Sequence, residues 1–245
     1  MGRIARQITI EGRNIVRDAL GTHKVISVNI SRNVEGDGRV REIEEMAKKN
    51  GVQVRWVDQK EIEKESESGK PQGVLAYMEL PETPTLEEIL IKKRDAFVVL
   101  LNRIDYEQNL GAILRSAWAA GVDAVIASPN GVHELTPVVA KVSQGAAAYV
   151  PLIGMSLFQA IDLLEKYAVK VVGGEVNMGD IYTKASLRGP VALLIGGEAA
   201  GISEPLTKRC NQFVHIPMKS GVASLNVSVA TALIMFEKNR QEREG

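Results

Sequence analysis

HIPMKSGVASLNVSVATALIMF, residues 215–236, passes from a short apolar segment through a loop holding Pro217 and Gly221 into a long apolar-periodic stretch that opens at Ser224. The order reads as a strand over 213–217, a glycine-containing loop and then a helix. The first-turn N–H groups of a helix have no partners within it, and its dipole favours negative charge there. The junction can therefore hold an anionic or carboxylate-bearing ligand. It can equally be a plain helix start, with Ser224 as the N-cap and Asn226 a solvated first-turn residue.

Outward from this stretch, apolar runs at 97–101, 124–127, 169–172, 191–195 and 213–216 alternate with helical segments at 109–120, 135–144, 156–167, 203–210 and 224–240. Continuous apolar strands between amphipathic helices specify an α/β domain whose parallel sheet is covered on both faces. Taken alone, the alternation predicts an open, doubly wound sheet with no threaded loops. Such sheets bind ligands beyond the carboxyl ends of their strands, which singles out the loops after Leu101, Ile195 and Ile216.

The loop after Leu101 leads into NLGAILRSAWAAGV, residues 109–122. Asn109 and Gly111 fall at the helix start. Arg115, six residues past Asn109, sits in an apolar run where a guanidinium needs a carboxylate, a phosphate or a helix end. An internal carboxylate pair would meet that need as well as a ligand. In LLIGGEAAGIS, residues 193–203, Gly196, Gly197 and Gly201 let the backbone approach a ligand, and Glu198 is a lone acid. The spacing is not G-x-G-x-x-G, and the chain has no G-x-x-x-x-G-K-[ST], which argues against a nicotinamide-dependent dehydrogenase and a nucleoside triphosphatase.

Ahead of this lies a smaller α/β pattern: helix 12–20, strand 25–30, helix 40–50 closed by Gly51, strand 52–57, a charged exposed segment 61–69 and strand 73–80. Pro81, Pro84 and a charged segment that Thr85 can cap mark a boundary. The reading is a domain at 1–80, a linker at 81–94 and a second domain at 95–245. Thirty basic residues balance thirty acidic ones, yet residues 1–32 carry Arg3, Arg6, Arg13, Arg17, Lys24 and Arg32 against Glu11 and Asp18, a local basic face. The single Cys210 and three scattered histidines have no metal-ligand spacing, so no metal is expected. The N-terminal segment has no apolar signal region and no run approaches a membrane span; a cytoplasmic protein with no membrane partner is expected.

N-x-G-A-I-x-R at 109–115, G-x-E-x-x-G at 196–201, and I-P-M at 216–218 followed by S-L-N-V-S-V-A at 224–230 closely resemble the three signature motifs of the SpoU family of the SPOUT superfamily. The resemblance covers roughly residues 97–240. E-G-R-N-I-V-R-D-A-L at 11–20 and Q-G-V at 72–74 are similar to the family's small, L30e-like α/β substrate-binding domain. Members are S-adenosylmethionine-dependent RNA ribose 2'-O-methyltransferases. The resemblance implies a C-terminal deep trefoil knot in place of the unthreaded sheet, with the cofactor bent within the knotted loops. Cofactor contacts would come from Gly196, Gly197, Glu198, Gly201, Ile216, Met218, Ser224 and Leu225. It implies a homodimer through the knotted domain, with the C-terminal helix at the interface, and catalysis centred on Arg115 with Asn109, Glu198, Ser224 and Asn226.

Arginine stays protonated in proteins, so Arg115 is better suited to holding a phosphate and developing charge than to removing a proton. For RNA recognition, two Trp, five Tyr and four Phe are few for extensive base stacking, and phosphate contacts are favoured. Arg3, Arg6, Arg13 and Arg17 are the candidates for those phosphate contacts, and the resemblance adds Asn14, Gln72 and Arg115 as candidate RNA contacts. The sequence departs from the family at Asp105–Gln108, where a proline is common, and at Pro71, often a histidine. A guanosine of 23S rRNA is the leading target. The alternatives are transfer RNA, another rRNA site, including an adenosine whose methylation confers antibiotic resistance, and a non-catalytic RNA-binding module.

Overall fold

The structure, a computed structural model, describes residues 7–21, 25–66, 71–79, 82–197 and 201–244. The chain divides into two compact units, Met1–Glu82 with Thr136–Ala148, and Thr83–Leu135 with Tyr149–Gly245.

In the first unit, β1 (Gln7–Glu11), α1 (Arg13–Leu20), β2 (Val25–Ser31), α2 (Gly38–Lys49), β3 (Gln53–Val57), α3 (Gln59–Glu65) and β4 (Val74–Glu79) follow in order. The sheet runs β1-β4-β2-β3, parallel only between β2 and β3. Helix α1 buries Val16, Ala19 and Leu20, and α2 buries Val40, Ile43 and Ala47. Gly51, at φ 69°, donates to the Lys48 carbonyl (3.1 Å) while Val52 donates to that of Ala47 (2.8 Å), closing α2 in the left-handed turn that glycine adopts without strain. Two elements differ from the sequence expectation. β1 joins as an edge strand beside β4, and the charged segment after 58 is helical, with Ile62 turned onto Val57 and Leu75. A helix at Pro137–Ser143 also belongs to this unit and packs on β1.

The second unit starts with α4 (Leu86–Lys92). Then come β5 (Phe97–Asn102), α5 (Glu107–Ala120), β6 (Ala124–Ala127), the Pro137–Ser143 excursion (α6), β7 (Leu152–Gly154), α7 (Leu157–Lys166), β8 (Lys170–Gly174), β9 (Asp180–Ile181), β10 (Val191–Gly196), α8 (Glu204–Thr207), β11 (Gln212–His215) and α9 (Val227–Arg243). The seven strands lie in the order β7-β6-β5-β10-β8-β11-β9, and every recorded pairing is parallel. Strands β5 and β10 are buried along nearly their whole length. Val98, Leu100, Ala192 and Leu194 meet Leu86, Ile89, Leu90 and the buried face of α7 in one core. The alternate residues point to the other face, where Ile195 and Ile234 of α9 converge over Gly174.

Within the span read as a linker, 81–94, Leu86, Ile89 and Leu90 of α4 lie in that core. Thr85 and Glu88 form a reciprocal capping box, and the helix they start buries three side chains. The C-terminal helix begins later than the sequence reading placed it: Asn226, not Ser224, is the N-cap, and β11 ends at His215. Helices α5 and α9 run side by side in the same direction. Asn226 Nδ2 donates to Asn109 Oδ1 (3.1 Å) near their starts, and Asn239 Nδ2 to the Ala120 carbonyl (2.9 Å) near their ends.

Candidate functional site

Beyond the carboxyl ends of β8, β10 and β11, three loops enclose a cavity of about 200 Å³. Gly196, Gly197 and Gly201 come from the β10 loop, Ile216, Met218, Ser224 and Leu225 from the β11 loop, and Gly174, Glu175 and Val176 from the β8 loop. The glycines are dictated by packing. A Cβ on Gly196 would lie 2.0 Å from the Gly201 carbonyl carbon, and one on Gly197 would lie 2.3 Å from the Arg103 carbonyl oxygen. Gly201 takes φ 61° and donates to the Gly197 carbonyl (3.0 Å), so these two glycines pair backbone to backbone. Asn102 Nδ2 donates to the Gly201 carbonyl (3.3 Å).

Ile195, Val214 and Ile234 make the cavity floor apolar. Ser224 and Leu225 stand at its rim, two residues and one residue before the cap of α9. Asn226 Oδ1 accepts from the backbone N–H groups of Ser228 (2.9 Å) and Val229 (3.4 Å) and from the Ser228 hydroxyl (2.6 Å), which leaves its Nδ2 for Asn109.

Seven of the residues singled out in the sequence thus line one cavity, and Asn109 and Asn226 are bonded to each other beside it. Arg115 stands apart. Six residues on from Asn109 is ~9 Å along α5 and a different direction around it. Its side chain is exposed, with no ion pair or hydrogen bond among the described residues, so the guanidinium is not compensated internally. Ala112, Arg115 and Ala119 occupy the outward stripe of α5, while Leu110, Ile113, Leu114 and Ala117 face inward. Glu198 lies outside the described residues.

The sequence reading passed over Glu175 and His215. The signal for Glu175 was available: VVGGEV at 171–176 places an acid just past the carboxyl end of an apolar strand. Its carboxylate accepts from the Ile202 N–H and from its neighbour Val176 (3.3 Å). Burial, and then the charge of Glu175, pushes the Cys210 thiol up to about 11.

In the first unit, Arg13 and Gln72 meet. The Arg13 backbone N–H donates to Gln72 Oε1 (3.3 Å), its Nε to the Gln72 carbonyl (3.2 Å) and its terminal nitrogen to Asp37 (2.7 Å). Asn14 is exposed next to this cluster, and Arg17 pairs with Asp18 (3.0 Å). Arg3 and Arg6 lie outside the described residues.

A sequence model of the SpoU rRNA methylase family matches residues 96–236, a span that holds the whole cavity. The chain belongs to the SpoU rRNA methylase family. Residues 9–84 match the RNA 2'-O ribose methyltransferase substrate-binding family. Among SpoU-family relatives, the 23S rRNA (guanosine-2'-O-)-methyltransferase RlmB of Coxiella burnetii is 36% identical over 225 residues, covering 89% of this chain and 88% of that one. An AdoMet-bound rRNA methyltransferase from Sinorhizobium meliloti superposes with a TM-score of 0.78 at 25% identity, covering 96% of this chain and 88% of its own. A TrmH/SpoU tRNA modifying enzyme of A. aeolicus is similar over 65% of this chain and 81% of its own, with a TM-score of 0.57 and 25% identity.

Proposed function

We propose that this SpoU-family protein transfers a methyl group from S-adenosylmethionine to a ribose 2'-hydroxyl of RNA, with a guanosine of 23S rRNA as its target. The observation that carries the reading is the cavity lined by Gly196, Gly197 and Gly201 and by the loop before α9. It fits the cofactor: a Cβ-free wall gives backbone polar groups close access, Ile195, Val214 and Ile234 offer an apolar floor for a purine, and Met218, Ser224 and Leu225 close the rim. The 36% identity to an rRNA guanosine methyltransferase along nearly the full chain favours rRNA over tRNA.

When bound, the cofactor supplies an electrophilic methyl on a sulfonium. Transfer of that methyl to the ribose 2'-oxygen would break the carbon–sulfur bond, leaving the bond pair on sulfur and the hydroxyl proton to pass to solvent, directly or through Glu198. The chain's residues must align the ribose, favour charge on its oxygen and exclude water. Arg115, a cation uncompensated among the described residues, holds the adjoining phosphate and the charge developing on the oxygen. Asn109 and Asn226, fixed by their mutual bond, orient the sugar, and Ser224 presents its hydroxyl at the rim. Glu198 takes part by orienting Arg115 or relaying the proton. In the first unit, Arg13, anchored by Asp37, orders the Gln72 turn, and with Asn14 this edge contacts the RNA backbone.

The same reading includes the trefoil knot formed by the loops at 196–201 and 216–225, and a homodimer through the knotted domain. The dimer is supported by α9, whose outward Val229, Leu233 and Phe236 recur at helical spacing and stay exposed at 48%, 39% and 47%. The test of the activity is methyl incorporation into ribosomal RNA by the wild type and Arg115→Lys. The variant loses most turnover while calorimetric cofactor affinity persists; normal turnover in the variant removes Arg115 from the mechanism.

A further inference from the structure

Glu175 is the acid among the described residues of the cavity wall, and its surroundings leave its charge uncompensated. The other ionisable group there, His215, has Nδ1 3.1 Å from the Gly179 carbonyl, a contact in which that nitrogen donates. Glu175 has no ion-pair partner among the described residues. Two backbone N–H groups, from Ile202 and Val176, hold its carboxylate, and they fix its direction without cancelling its charge. It sits at the carboxyl end of β8, beside β10, where one oxygen abuts Gly201: a Cβ there would come within 2.5 Å of Oε1. The carboxylate is therefore immobilised at the wall of a half-enclosed site whose other polar groups are mostly backbone.

We propose that Glu175 sets the site's preference for the positively charged methyl donor over its neutral demethylated product. The inference rests on the cofactor reading given above. The donor carries a sulfonium, an ammonium and a carboxylate, net +1. The product has lost the sulfonium charge and is net neutral, while its adenine, ribose and amino-acid groups are unchanged. Apolar burial and backbone hydrogen bonds thus treat the two ligands nearly alike, and a fixed negative charge is what separates them. Within one partly solvated cavity such a charge favours the donor by about fivefold. Methyl transfer itself removes the attraction, so Glu175 both selects the donor and speeds exchange of the product.

The experiment is calorimetry on the whole protein without RNA, using S-adenosylmethionine, S-adenosylhomocysteine and sinefungin, which carries an amine cation at the corresponding position. Wild type is compared with Glu175→Gln, whose amide oxygen can still accept from Ile202, and with Glu175→Asp. Glu175→Gln weakens S-adenosylmethionine and sinefungin by about fivefold and leaves S-adenosylhomocysteine within about twofold, while Glu175→Asp retains most of the discrimination. Equal weakening of all three ligands in Glu175→Gln reveals a purely structural role and overturns the proposal, as does an unchanged affinity ratio. A wild type that binds none of the three overturns the cofactor reading itself.

Discussion

Asn226 joins two tasks in one side chain, and substitution can separate them. Its Oδ1 caps α9 through Ser228 and Val229, while its Nδ2 bonds Asn109 across the start of α5. Asn226→Ala removes both. Loss of the cap costs about 1 kcal/mol, and loss of an exposed, neutral side-chain hydrogen bond adds about 0.5 kcal/mol. For a chain of this size the sum of about 1.5 kcal/mol lowers the Tm by about 3–6 °C. Asn226→Asp keeps an equally good cap and adds a negative charge at the positive end of α9, so its Tm stays within about 2 °C of wild type. It cannot donate to Asn109 Oδ1, however, so the present bond of the pair proposed to orient the ribose is lost. Scanning calorimetry paired with methyl incorporation into rRNA reads both effects. Asn226→Ala loses stability and turnover together, whereas Asn226→Asp keeps stability and loses about tenfold or more in turnover, equivalent to about 1.4 kcal/mol. Full turnover in Asn226→Asp would reduce Asn226 to a cap, and an unchanged Tm in Asn226→Ala would refute the capping estimate.

Other perturbations reach different parts of the molecule. Gly196→Ala drives a Cβ into the Gly201 backbone, so S-adenosylmethionine affinity by calorimetry drops about tenfold or more; wild-type affinity would contradict the cavity assignment. Ala168, exposed at φ 56° where its N–H closes the end of α7 on the Glu165 carbonyl, is a left-handed alanine, and Ala168→Gly raises stability by about 0.5 kcal/mol in urea denaturation. Burial, and then the bond to Glu65, push the Tyr77 hydroxyl up to about 12. The folded state therefore binds this proton more tightly than the unfolded chain, whose tyrosines titrate near ~10. The contribution is complete below pH ~10 and falls away as pH rises toward about 12, which Tyr77→Phe removes in high-pH denaturation curves. Leu233→Glu on the exposed stripe of α9 shifts the protein toward a smaller species in light scattering, and an unchanged mass would count against the dimer.

The strands at 97–101 and 191–195 were legible because a sheet covered on both faces demands unbroken apolar runs, which helices do not. Edge strand β1, with one exposed end and a polar–apolar alternation of five residues, has too little pattern to separate it from a loop. Helix α3 buries only Ile62, so its surface reads as solvated charge. The start of α9 was misplaced because Ser224 and Asn226 are both good caps locally; the choice falls to Asn226, and Asn109, more than a hundred residues away, is the partner on its other amide atom. For Arg115, the composition of its neighbourhood leaves an internal carboxylate pair and a ligand equally open. Taken at the helical period, the same residues put it on the outer stripe. The loops after Leu101, Ile195 and Ile216 follow from the carboxyl-end rule and the motif resemblance together, whereas the β8 loop with Glu175 joins the cavity because β8 lies between β10 and β11, a sheet order that local sequence does not give.

The return of residues 136–148 to the N-terminal unit has a consequence for synthesis. A unit closed by its own first eighty residues could mature while the rest of the chain was still being made. Here the helix that packs on β1 emerges more than fifty residues after β4, and β5, α5 and β6 of the other unit are translated in between. The N-terminal unit stays incomplete until this segment, encoded in the second half of the chain, has been made. Severing the chain near residue 82 would therefore yield two orphans, each missing or carrying a segment that belongs to the other.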